Sequence, residues 1–207
     1  MKILLNPTYQ ESESMRFDYF RREILKLSDK NRPSKLLDIG CSQLDFSKTS
    51  KTIESFGVDI KKSEQYDSLH FKQCNLDTED IPYADNYFDF VVAGEVIEHV
   101  KRPFEVIEEV ARVLKNGGYL FLSTPNPSYY LEILKELFGS KKIDDVEHLN
   151  LFSRIHLTAY LEKKGFSIIE MKRYKFWIPF IKLMILSLHT PPLLNYQTIY
   201  KLKIHKT

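Results

Sequence analysis

Cysteine is scarce in this 207-residue sequence: Cys41 and Cys74 are its two, and their separation has no metal-type spacing. That excludes a disulfide-stapled framework and suggests a reduced, cytoplasmic setting. No apolar stretch is clean enough to cross a bilayer, which takes about 20 predominantly apolar residues. The opening MKILLN lacks an apolar core of signal-peptide length. Internal repeats and low-complexity tracts are missing as well. Acids are absent from residue 171 onward, where Lys172, Arg173, Lys175, Lys182, Lys201, Lys203 and Lys206 stand. With seven positive charges there and +2 overall, the first 170 residues carry a net −5. A basic tail on an acidic body attracts anionic surfaces, and lysines guarding a sheet edge would have the same composition.

What is present suits one globular domain over residues 1–207, since 43% hydrophobic and 28% charged residues exclude both a disordered and a collagen-like chain. The chain is organised around residues 35–59. Leu36, Leu37 and Ile39 form an apolar run broken by Asp38, the backbone turns at Gly40, and a second run (Ile53, Phe56, Val58) ends at Asp59. This reads as strand, tight turn, helix, strand. A buried parallel strand that ends in glycine and feeds a helix N-terminus makes a ligand crevice at the carboxyl edge of a sheet. Asp59, closing the second strand, is placed to accept from the two hydroxyls of a ribose. Dinucleotides and S-adenosylmethionine (SAM) both fit.

Apolar spacing predicts an amphipathic helix over residues 11–28, with Ser12 or Ser14 as N-cap, leaning over that crevice as a lid or as packing. Strands are expected over residues 69–76, 88–93 and 119–123. Between the last two, a helix over residues 103–114 ends at Asn116-Gly117-Gly118. Residues 166–176 and 197–204 read as strands, the latter alternating apolar and charged. Strands alternating with helices predict an α/β fold, doubly wound with right-handed crossovers.

The chemistry concentrates in Glu95-Val96-Ile97-Glu98-His99, just past the fourth strand. If this is one helical turn, Glu95, Glu98 and His99 share a face. Two carboxylates and an imidazole there would bind a divalent cation or make an acid-oriented histidine base. His148 would supply a fourth ligand or a second base. His70 and His156 read as surface or helix residues.

DIGCS (residues 38–42), GVDI (57–60), NLDTEDIPYADNYFD (75–89), EVIEHV (95–100), LKNGGYLFLSTPNP (114–127) and EHLNLFSRIHLTAYLEKKGF (147–166) stand in this order. Together they resemble class I SAM-dependent methyltransferases of the ubiquinone-type O-methyltransferase branch. The resemblance implies a Rossmann-like, mostly parallel seven-stranded sheet with an antiparallel last strand. It also implies that Asp38, Gly40, Ser42, Asp59, Ile60, Asp77, Thr78 and Glu95 bind SAM, Asp77 and the Thr78 N–H meeting the adenine. Where the family has three glycines in its first turn, this chain has Gly40, Ser42 and Leu44. The Glu-x-x-Glu-His segment with a later His is similar to the metal site of small-RNA 2′-O-methyltransferases, which implies Glu95, Glu98, His99 and His148 as ligands.

The expected function is methyl transfer to an oxygen of a small or lipid-linked acceptor, with His99 as base and His148 in reserve. RNA 2′-O-methylation with a metal, and a SAM-fold binding protein without turnover, are the rival readings; nucleic acid is the less favoured partner. Residues 177–196, WIPFIKLMILSLHTPPLLNY, form a hydrophobic insert between the last two strands, read as a helix from 179 to 188. Being apolar nearly all round, such a helix would be core, a homodimer contact, or a peripheral membrane contact through residues 177–194. In the last case the protein would sit at the inner membrane surface.

Overall fold

The computed structural model describes residues 2–5, 9–41, 50, 52–62, 70–138, 148–174, 176–178, 183–186 and 194–206. A short strand, β1 (Lys2–Leu5), leads into helix α1 (Tyr9–Leu27). The sheet proper begins with β2 (Ser34–Ile39), β3 (Ile53–Asp59), β4 (His70–Gln73) and β5 (Phe88–Gly94). Helix α2 (Pro103–Val113) runs directly into β6 (Leu114–Pro125), followed by α3 (Tyr130–Leu137) and α4 (Arg154–Lys163). The chain closes with β7 (Phe166–Tyr174), β8 (Phe176–Ile178), β9 (Leu183–Leu186) and β10 (Gln197–Ile204).

Seven strands make one sheet in the order β4-β3-β2-β5-β6-β10-β7. β2 pairs in parallel with β3 and β5, and β3–β4 and β5–β6 are parallel too. β10 slots between β6 and β7, antiparallel to both. The expected α/β sheet with an antiparallel last strand is therefore present.

Successive side chains of a strand point to opposite faces, so a strand buried on both reads as a continuous apolar run. β2 and β5 do this. Leu37, Ile39, Val91 and Ala93 pack on one face with Ile107 and Val110 of α2 and Leu157 and Leu161 of α4. Leu36, Phe90 and Val92 pack on the other with Tyr19, Phe20 and Ile24 of α1. Phe88 and Phe90 would share a face in a regular strand, yet they lie in opposite cores. A register shift between them turns the strand over. Asp89, at the shift, accepts from the Lys35 N–H at 2.9 Å and from Lys115 Nζ at 2.8 Å.

Several expectations need correction. Helix α1 starts at Tyr9, so Ser12 and Ser14 lie inside it and neither is its N-cap. Helix α2 stops at Val113 and Leu114 is already extended, which places Asn116-Gly117-Gly118 within β6. The hydrophobic insert is strand, not helix, over Leu183–Leu186. There β9 pairs antiparallel with β1 on one side and β8 on the other, as a separate three-stranded sheet. Residues 95–99 are not a helical turn: Glu95 has a φ of +58° and residues 97–99 form a tight turn. The helix expected after Gly40 lies outside the described residues.

Candidate active site

The carboxyl ends of β2, β3 and β5 meet at one edge of the sheet. β2 delivers buried Asp38 and then Gly40, which turns the chain with a φ of +66°. A Cβ added at Gly40 would stand 2.9 Å from Val96 Cγ2, so the missing side chain lets the two loops close on each other. The Gly40 N–H donates to the Val58 carbonyl at 2.9 Å, fixing the turn beside the end of β3. β3 ends at half-buried Asp59, whose Oδ1 accepts from the Lys61 N–H at 3.1 Å. Ile60 follows, 54% exposed. Ser42 and Leu44 lie outside the described residues.

Asp77 and Thr78 stand on the loop after β4. Asp77 Oδ1 accepts from the Lys101 N–H at 2.8 Å, and the Thr78 N–H donates to the Asn75 carbonyl at 2.9 Å. Arg102 braces the loop through the Leu76 carbonyl at 2.9 Å and Asp80 at 3.1 Å. This wall of the crevice is thereby tied to the segment that follows Val100. Cys74 lies beneath it; burial pushes its thiol up to about 11, leaving it protonated and a poor nucleophile.

Past β5 the chain turns at Glu95 and carries Glu98 and His99 to the rim. Glu98 is fully buried, and neither of its oxygens meets a hydrogen-bond donor among the described residues. Burial, and then the negative charge of Glu95, push Glu98 up to about 9, so it holds a proton at neutral pH. The rings of His99 and His148 lie 4.8 Å apart, centroid to centroid. One ligating atom from each of Glu98, His99 and His148 falls within 4.8 Å of the others. Glu95 is not in this group. Its Oε2 accepts from Gln197 Nε2 at 2.9 Å, and its Oε1 lies 3.4 Å from Arg16 Nη1.

Three residues that sequence reasoning missed organise this rim. Asn150 donates from Nδ2 to the Val100 carbonyl at 2.6 Å and from its N–H to the Glu98 carbonyl at 3.0 Å, holding the His148 segment against the turn. Gln197 holds Glu95 by a hydrogen bond and Arg16 faces it as an ion pair. An asparagine two places after His148 was a weak signal for the first; the other two depend on tertiary contacts.

A protein family described as a methyltransferase domain matches residues 12–171. A demethylmenaquinone methyltransferase from Bacillus mycoides is 26% identical over 144 residues, 58% of this chain and 61% of that protein. A ubiquinone biosynthesis O-methyltransferase from Nitrosomonas europaea is 31% identical over 134 residues, 58% of this chain and 55% of that protein. The chain thus spans less than two thirds of the length of these two relatives. Among solved structures, a SAM-dependent methyltransferase from Archaeoglobus fulgidus shares the fold, with a TM-score of 0.66 over 93% of this chain and 94% of that one at 19% identity.

Proposed function

The chain belongs to the methyltransferase-domain family and is a SAM-dependent methyltransferase, and from that premise we propose that its acceptor is a hydroxylated ring of the quinone-precursor kind, methylated on oxygen. The names of the menaquinone and ubiquinone relatives support the ring, and the second of them supports the oxygen. The observation that carries the reading is the His99–His148 pair at the rim beyond β5.

Bound SAM supplies an electrophilic methyl group on a sulfonium. The left-handed turn at Gly40, with Val96 packed where a side chain would stand, closes the carboxyl end of β2 next to Asp38 and Asp59, and the carboxylates at that edge fit a cofactor with a ribose. Asp38, Gly40, Ser42, Asp59, Ile60, Asp77 and Thr78 are the residues that would hold it, with the Asp59 carboxylate taking the ribose hydroxyls, whereas the two oxygens of Glu95 face Gln197 and Arg16. Held there, SAM would supply its methyl group to an acceptor oxygen presented beside His99 and His148. The hydroxyl proton passes to the imidazole of His99, with His148 next to it. Such a base contributes about 10² to 10⁴-fold. The test is transfer of label from methyl-labelled SAM to a prenylated catechol. Label on a ring oxygen is expected; SAM binding without transfer to this probe would overturn the acceptor class.

A second reading has its own observation. The buried carboxyl of Glu98, within 4.8 Å of His99 and His148, would give up its proton to a divalent cation, which would anchor an acceptor diol such as the terminal ribose of an RNA. Titration of manganese into the protein, with His148→Ala as control, tests it; no binding heat in the wild type rejects the cation.

The sequence of the β1-β9-β8 sheet supports a lipid-linked acceptor. Its strands read KILL, LMIL and FWI, and one rung after another is apolar: Ile3, Ile185 and Phe176, then Leu4, Met184 and Trp177, then Leu5, Leu183 and Ile178. Among the described residues no helix is long and apolar enough to cross a membrane. A sheet of this composition would rest on a bilayer that holds the acceptor's tail, aided by the basic tail of the chain. Sedimentation with anionic liposomes, weakening at high salt, is expected; protein left in the supernatant at low salt would remove this support.

A further inference from the structure

Two described non-glycine residues have a positive φ, Asn86 at +55° and Glu95 at +58°. Asparagine tolerates this conformation, whereas a glutamate there is strained and must be held by its surroundings. The strain sits where the chain leaves β5. It turns the backbone out of the strand direction, puts Val96 under the Gly40 turn, and delivers Glu98 and His99 to the rim. Whatever holds Glu95 therefore sets the position of His99.

Both oxygens of Glu95 are faced by side chains from elsewhere in the fold. Gln197, the first residue of β10 and 2% exposed, donates to Oε2 at 2.9 Å. Arg16, 3% exposed, stands 3.4 Å from Oε1. Arg16, Phe20 and Ile24 recur every fourth residue on the buried face of α1. Phe20 packs edge-on against Phe121 at 5.7 Å, so the helix is anchored and the arginine comes with it. A Cβ added at Gly94 would lie 3.9 Å from Arg16 Cζ and 3.8 Å from both Phe20 and Ser123 Oγ, ordinary contact distances that place the guanidinium directly against the end of β5. An arginine ending an apolar stripe and buried against the exit of a central strand is costly unless its partner matters.

We propose that Arg16 and Gln197 are positioning residues for the methyl-transfer site: they clamp Glu95 in its left-handed conformation and so fix the turn that presents His99. The clamp couples α1 and β10 to the rim, so that a shift of either element moves the base. This rests on the reading of His99 as the base, and its test is built to fail separately from that reading.

The test uses the full chain saturated with S-adenosylhomocysteine and needs no acceptor. Hydrogen exchange is followed at residues 95–100 in Arg16→Met, Arg16→Lys and Gln197→Leu. Arg16→Met and Gln197→Leu are expected to speed exchange there by about tenfold while β2 and β3 stay protected, with Arg16→Lys between them and the wild type. Unchanged exchange at residues 95–100, or a rise spread evenly over the sheet, overturns the clamp. Glu95→Gly supplies the second arm. Glycine accepts a φ of +58° without strain, so this variant should melt no lower than Glu95→Ala while its residues 95–100 exchange faster than in the wild type. Wild-type exchange in Glu95→Gly would contradict the proposal. If the prenylated catechol is a substrate, Arg16→Met should also lower kcat by about 10²-fold with a smaller change in KM. A wild type inactive on that probe, with the exchange pattern intact, would sink the acceptor and leave the clamp standing.

Discussion

Asn150 is hung on Val100: its side-chain amide donates to the Val100 carbonyl at 2.6 Å, and its own N–H reaches the Glu98 carbonyl at 3.0 Å. One residue thus closes the rim by joining the turn that carries His99 to the segment that carries His148. Asn150→Ala removes the donor and leaves a carbonyl beside a buried valine without it. A loss of about 1 to 3 kcal/mol is expected from urea unfolding, together with a fall in turnover. A stable but inactive variant would mean that the contact orients the histidines more than it holds the fold.

Asp59 tests the cofactor side. Asp59→Ala removes the carboxylate that would accept from the two ribose hydroxyls, and should weaken S-adenosylhomocysteine by about 1.5 to 3 kcal/mol, the range for hydrogen bonds to a charged group. Isothermal titration measures it. Unaltered affinity would put the ribose elsewhere in the crevice.

Glu23 tests the packing of α1 on the sheet. Burial alone would raise its carboxyl, but hydrogen bonds from Lys26 and Lys201 outweigh burial and hold it at about 2, below its ordinary 4.5. Lys201 Nζ lies 3.0 Å and Lys26 Nζ 2.8 Å from the carboxylate. A depressed folded pKa stabilises above the unfolded value, so this contribution is full above pH 4.5 and is lost as pH falls through about 2. In Glu23→Gln the melting temperature should therefore vary less with pH across that window than in the wild type. Parallel curves would show that the lysines do not hold Glu23 ionised.

The sheet was legible where physics is local. Apolar runs buried on both faces mark β2, β3 and β5, and the alternation over Gln197–Ile204 marks the whole of β10. The 183–186 run is apolar throughout, and periodicity cannot tell a short buried strand from a buried helix segment. Its pairing with β1, at the other end of the chain, is a long-range choice that no window reveals. At the rim, the grouping of Glu98, His99 and His148 followed from the family's motifs. The departure of Glu95 from that group did not, because it depends on a left-handed φ and on Arg16 and Gln197, which approach from a helix and a strand remote in sequence.

The central claim is that His99 takes the acceptor's proton during methyl transfer, and single-turnover methylation of the prenylated catechol at saturating SAM tests it most directly. His99→Ala should slow the transfer step by about 10² to 10⁴-fold while S-adenosylhomocysteine affinity stays at the wild-type value. A variant that transfers the methyl group as fast as the wild type would contradict the account.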